Sequence, residues 1–88
     1  MNNQVVISQI RRSYSNGKPP SLILREVIHQ HPETTVPDLM KVMQDAFSLS
    51  YESVQCIGGW WADETGELSD EQLDVFLLRA IQKDKEYF

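Results

Sequence analysis

Eighty-eight residues, 41% of them hydrophobic, with one cysteine and a formal net charge of -5, set narrow bounds. A chain of this length buries roughly 60 to 65% of its unfolded surface and folds as one domain without disulfides or metal, and the lone Cys56 has no intramolecular partner. The acidic balance argues against unassisted binding to a phosphate backbone, where Lys and Arg supply the affinity.

Residues 1–12 carry no basic segment ahead of an apolar run, so a signal peptide is not expected, and the apolar stretch from Cys56 to Ala62 is too short to span a bilayer. A soluble, cytoplasmic protein is the expectation.

In chain order, Val6, Ile10 and Tyr14 recur every four residues while Arg11 and Arg12 point elsewhere, which predicts a first helix from Asn3 to about Ser15. Asn16-Gly17 supplies a left-handed stop and Pro19-Pro20 prevents continuation. A second helix is predicted over Ser21 to Gln30, with Leu24, Val27, Ile28 and His31 on one face and Pro32 closing it. Thr35-Val-Pro-Asp38 has the spacing of a helix start, and Leu39, Met40, Val42, Met43, Ala46 and Phe47 give the third helix a wide apolar face.

Ser50 caps a fourth helix, clasped by Leu49 and Val54 as a hydrophobic staple. Val54, Ile57, Gly58 and Trp61 share the spacing i, i+3, i+4, i+7, which turns the glycine inward. Two consecutive glycines cost roughly 1 kcal/mol each in a helix, so either a close helix crossing or an early end near Gly59 is expected. Asp63 to Glu67 reads as a polar turn with Gly66 at positive φ. Ser69-Asp-Glu-Gln72 is a capping box, Leu68 and Leu73 form a second staple, and Leu73, Phe76, Leu77, Ala80 and Ile81 make the expected buried stripe of a fifth helix. No strand pattern competes, and the expectation is an all-α, single-domain bundle of about five short helices spanning residues 1–88.

Charge is distributed unevenly along this frame. Between Lys41 and Arg79 there is no Lys or Arg, while Asp45, Glu52, Asp63, Glu64, Glu67, Asp70, Glu71 and Asp74 all fall there. An indifferent surface normally mixes signs, so a segment of one sign points to a basic partner.

Reactive chemistry is poorly represented. Asp63, Thr65, Glu67, Glu71 and Asp74 fall at places one, three, five, nine and twelve of a calcium loop, but the sixth place is Leu68 instead of Gly and the twelfth is Asp instead of Glu. His29 and His31 point apart on a helix, and Cys56 has no basic neighbour in sequence to activate it. With no nucleophile elbow, phosphate loop or dinucleotide fingerprint, neither an enzyme nor a cofactor is expected. Trp61 reads as core. Trp60, about 100 degrees round the helix, either joins it in the core or sits at the edge of that face, where an indole beside carboxylates has the chemistry of an interface anchor.

Small size, acidity, helicity and an acid-rich face with aromatics resemble the immunity proteins with which bacteria neutralise nuclease toxins, including those of colicins and of contact-dependent inhibition systems. The Asp/Tyr-Tyr signature of the helical DNase-colicin group is absent, so no binding residue transfers. The resemblance implies a mechanism in which an acidic domain covers a basic nuclease surface. The residues expected to carry it are Tyr51, Trp60, Asp63, Glu64, Glu67, Asp70, Glu71 and Asp74. Two other classes remain open: a helical adaptor, phage-borne or otherwise regulatory, using an apolar patch of Leu22, Met40 or Met43, and a helix-turn-helix reader using Arg11, Arg12, Lys18 and Arg25.

Overall fold

A computed structural model describes residues 3–60 and 66–85. All regular elements among them are helical: α1 (Asn3–Ser15), α2 (Pro20–Gln30), α3 (Val36–Phe47), two single turns α4 (Tyr51–Val54) and α5 (Cys56–Gly59), and α6 (Asp70–Lys85). The expected all-α bundle is therefore what the chain forms. Its Cα radius of gyration, 12.0 Å, matches the value of about 12 Å expected for a compact domain of this length.

Local chemistry sets most boundaries. α1 ends as the sequence requires, with Gly17 at φ 87 and the Lys18 amide donating to the Ser13 carbonyl, the six-to-one bond of a Schellman stop. α3 begins with a reciprocal box: the Asp38 amide donates to Thr35 Oγ1, and the Thr35 amide donates to Asp38 Oδ2. α3 ends in the same way as α1, with the Leu49 amide donating to the Gln44 carbonyl, but the left-handed position is Ser48, at φ 55.

α1 packs against α3, α2 packs against α6, α1 also touches α2, and the short α4 and α5 sit between α3 and α6. Val6, Ile10, Leu24, Val27, Leu39, Met43, Val54, Ile57, Leu73 and Leu77 fill the common core. Arg11 secures the first pair: its Nε donates to the Ala46 carbonyl at 2.8 Å and its Nη2 to the Asp45 carbonyl at 3.3 Å. α3 has no basic residue in its own last turn, so this guanidinium supplies the cation that a helix carboxyl end favours. Tyr14 meets Phe47 edge-on beside it, ring centroids 5.1 Å apart.

Three expectations are corrected. The fourth helix breaks at Gln55 and ends at Gly59, so the early-end alternative applies; Gly58 is exposed and a Cβ there would meet nothing within 4 Å, which removes the close crossing. Trp60 leaves the helix in an extended conformation (φ -117, ψ 144) and is 1% exposed, so it is a core residue and not an edge anchor. Phe76 is 48% exposed instead of buried. The buried stripe of α6 is Leu73, Leu77 and Ile81, rotated towards Asp70 and Asp74, whose side chains are held by α2. Trp61, expected in the core, lies outside the described residues.

The two left-handed stops give a paired test. Gly17→Ala places a Cβ at φ 87 and should lower stability by about 1 kcal/mol, while Ser48→Gly relieves a similar strain and should raise it by about 0.5 to 1 kcal/mol, both read by urea unfolding. Equal signs for the two would contradict the stops described.

Candidate functional site

Four acids of the base-free segment, Glu67, Asp70, Glu71 and Asp74, stand at or just before the start of α6. That start is fixed by Ser69 and Gln72, each satisfying the other: the Gln72 amide donates to Ser69 Oγ, and the Ser69 amide donates to Gln72 Oε1. Asp70 thus becomes the first helical residue, and Asp74 lies one turn on along the same face. Both carboxylates turn inward to α2.

Arg25 meets Asp70 as a fork, Nε to Oδ2 at 3.1 Å and Nη2 to Oδ1 at 2.9 Å. Trp60 Nε1 donates to the same Oδ1 at 2.7 Å, and the Arg25 guanidinium lies 5.5 Å from the centroid of the Trp60 ring. One carboxylate therefore satisfies a buried indole N–H and orients a cation over its face. The Arg25 and Trp60 donors hold the Asp70 carboxyl below its ordinary range. The pair keeps solvent access, with the two side chains 36% and 44% exposed, so water screens much of its Coulomb attraction.

Asp74 does a different job. Its Oδ1 accepts from the Ser21 amide at 2.7 Å and its Oδ2 from the Ser21 hydroxyl at 3.1 Å. α2 opens at Pro19, which offers no capping side chain, so α6 provides the acceptor that the positive helix end needs. Ser21 facing Asp74 and Arg25 facing Asp70 also make α2 and α6 antiparallel. Sequence reasoning missed these partners of the acids, although a signal existed. Ser21 and Arg25 are four apart, as are Asp70 and Asp74, so two helical faces with complementary donors and acceptors can lock in antiparallel register.

The eight residues expected to bind a partner thus separate. Trp60, Asp70 and Asp74 are occupied within the fold. Glu67 and Glu71 are exposed at a cavity of about 650 Å³ that Arg25, Trp60, Leu68 and Asp70 also line. Tyr51 is 60% exposed and borders a separate hollow of about 430 Å³ with Pro37, Met40, Lys41, Gln44, Asp45 and Leu49. Asp63 and Glu64 lie outside the described residues. Of the apolar patch considered for an adaptor, Leu22 is exposed, Met40 is nearly covered at the Tyr51 hollow, and Met43 is core.

The cations considered for nucleic-acid reading are largely engaged. Arg11 holds α3, Lys18 Nζ pairs with Glu26 Oε1 at 2.8 Å, and Arg25 holds Asp70; Arg12 is exposed. No group of three His, Cys, Asp or Glu suited to a metal ion occurs among the described residues, nor is any helix among them long and apolar enough to cross a membrane. Burial pushes the half-covered Cys56 thiol up, which keeps it protonated and poorly nucleophilic.

Two measurements check this division of labour. Asp74→Ala should destabilise the domain by about 1 to 2 kcal/mol in urea unfolding, the magnitude of a lost helix cap; a change indistinguishable from zero would mean that Ser21 finds an equivalent acceptor. Asp70 gives a pH signature. Its folded pKa lies below the unfolded value of about 3.9, so its contribution is complete above that value and is lost as pH falls through the folded pKa. Unfolding free energy should therefore fall less steeply between about pH 5 and pH 2 in Asp70→Asn than in the native chain, with the residual slope owed partly to Asp38, whose carboxyl is also lowered by the Thr35 cap.

No protein-family model, curated protein or solved structure matches this chain.

Proposed function

We propose that this chain is a protein-binding domain that engages a cationic partner, in the manner of an immunity protein covering the substrate surface of a basic nuclease toxin. One observation carries the reading: Arg11, Lys18 and Arg25 are spent on contacts within the bundle, and although Arg12, Lys41 and Arg79 are exposed, the segment between Lys41 and Arg79 presents exposed acids with no base of its own. Arg11, Lys18 and Arg25 are tied to other parts of the bundle. Asp45, Glu52, Glu67 and Glu71 are exposed, and none of their carboxylates forms an ion pair among the described residues. Outward charge that the fold does not cancel steers an oppositely charged protein and raises its association rate. A nuclease is the natural class of such a partner, because a surface that receives a polyanion is itself basic.

Tyr51 adds the second ingredient of an interface. It is the exposed aromatic beside a hollow floored by Met40 and Leu49, with Asp45 on the rim and Glu52 next to it in the chain. An aromatic anchor in the middle and charge at the edge is the usual anatomy of a binding hot spot. The same hollow supports the second reading, an adaptor that holds an apolar segment with little dependence on salt.

The test uses the protein encoded by the reading frame adjoining this one. If that product is a basic nuclease, the native chain should abolish its DNA cleavage near equimolar ratio, and Glu67→Lys combined with Glu71→Lys should slow association by about tenfold or more at low salt while leaving the thermal melt nearly unchanged. Binding that ignores both the reversal and added salt, yet is lost in Tyr51→Ala, would select the adaptor reading. Cleavage unaffected by the native chain would reject the immunity reading for that pair.

A further inference from the structure

The inward turn of Asp70 and Asp74 has a counterpart on the opposite side of α6. Val75 and Phe76, each 48% exposed, lie there with Glu71, Gln72 and Arg79, all exposed. Glu71, Val75 and Arg79 are spaced four apart, so they form one strip along the helix, an acid and a base equidistant from an apolar centre. Neither Glu71 nor Arg79 has an ion-pair partner among the described residues. Such a strip complements itself. When a second copy lies antiparallel across it, Val75 meets Val75, Phe76 covers the flank, and Glu71 of each copy falls opposite Arg79 of the other.

We propose that two copies of this chain pair through this outer face of α6, antiparallel about a two-fold axis near Val75. The arrangement is isologous, so it closes as a dimer and does not propagate into a filament. Charge order sets the direction: a parallel pairing would place Glu71 against Glu71 and Arg79 against Arg79, with like charges adjacent. α6 holds 16 residues, about 24 Å of helix, and a single face of that length buries less than a standard interface of roughly 1,200 to 2,000 Å², so the dimer is of micromolar affinity or weaker. It takes only Glu71 from the outward acids, and it leaves Tyr51, Asp45, Glu52 and Glu67 outside the contact.

Sedimentation equilibrium of the full chain from about 10 µM to 1 mM tests the pairing. The native chain should show a concentration-dependent monomer–dimer equilibrium. Glu71→Arg should weaken it about tenfold or more by opposing two arginines, and Arg79→Glu should do the same by opposing two acids. The combined E71R/R79E chain restores both cross-pairs and should recover most of the native affinity, with net charge and composition of the strip unchanged. That recovery separates this result from the fate of the immunity reading, which depends on net negative surface. Val75→Glu should abolish pairing, and circular dichroism should show the helix content retained because the side chain is half in water. A native chain that stays monomeric up to about 1 mM, single reversals that leave dimerisation unaltered, or a double reversal no better than either single one, overturns the proposal.

Discussion

Three side chains distant in sequence, Arg25, Trp60 and Asp70, meet at one carboxylate, and the rest of the bundle is arranged to permit it. Trp60 is 1% exposed, and its indole N–H donates to Asp70 Oδ1. A buried donor left without an acceptor costs about 1 to 3 kcal/mol, so wherever Trp60 goes, the start of α6 must follow. Arg25 then fixes the same carboxylate from α2 through two bonds, which also fixes its orientation. The Leu68 amide donates to the Gly59 carbonyl, which ties the residue before the α6 cap to the end of α5. In this way α2, the end of α5 and the start of α6 are registered against one another by polar geometry, and the apolar core fills the space so defined.

The acidity of the chain therefore serves two ends. Asp70 and Asp74, with short side chains one turn apart, are taken up inside the fold, both by α2 and Asp70 also by Trp60. Glu67 and Glu71 bracket Asp70 but stay in solvent. Composition cannot distinguish these fates, because all four residues contribute equally to net charge. What distinguishes them is which side of a helix each occupies once the capping box at Ser69 has set the phase.

Features governed by neighbours in sequence were legible. Gly17 as a stop, the Thr35 and Ser50 caps, and the Ser69–Gln72 box each depend on a few adjacent residues whose hydrogen bonds are determined by backbone geometry. The all-α class followed from their sum. Features governed by tertiary partners were not legible. Helical periodicity placed Phe76 in the buried stripe because it weighs Phe above Asp, and it has no means of knowing that Arg25 and Ser21 await on α2. The early end at Gly59 put Trp60 into extended backbone, where helical angles no longer describe it. Of the candidate site, the outward acids and Tyr51 were accessible from the sequence, whereas the internal duties of Trp60, Asp70 and Asp74 required the fold.

The rotation of α6 can be weighed in energies. Burying a Phe fully stabilises by about 1.5 to 3 kcal/mol, so leaving Phe76 half exposed forgoes roughly half of that. Turning the helix to cover it would withdraw Asp70 from Trp60 and Arg25 and Asp74 from Ser21. That move strands a buried indole donor at about 1 to 3 kcal/mol and removes a helix cap worth about 1 to 2 kcal/mol, with the screened ion pair adding little. The polar side of the comparison is the larger, which explains why the helix sits as it does. It follows that the exposed Val75–Phe76 face is not an unexplained lapse in burial. It is the necessary reverse of the Asp70–Asp74 face, so the bundle acquires an apolar, self-complementary outer surface from the contacts that hold it together inside.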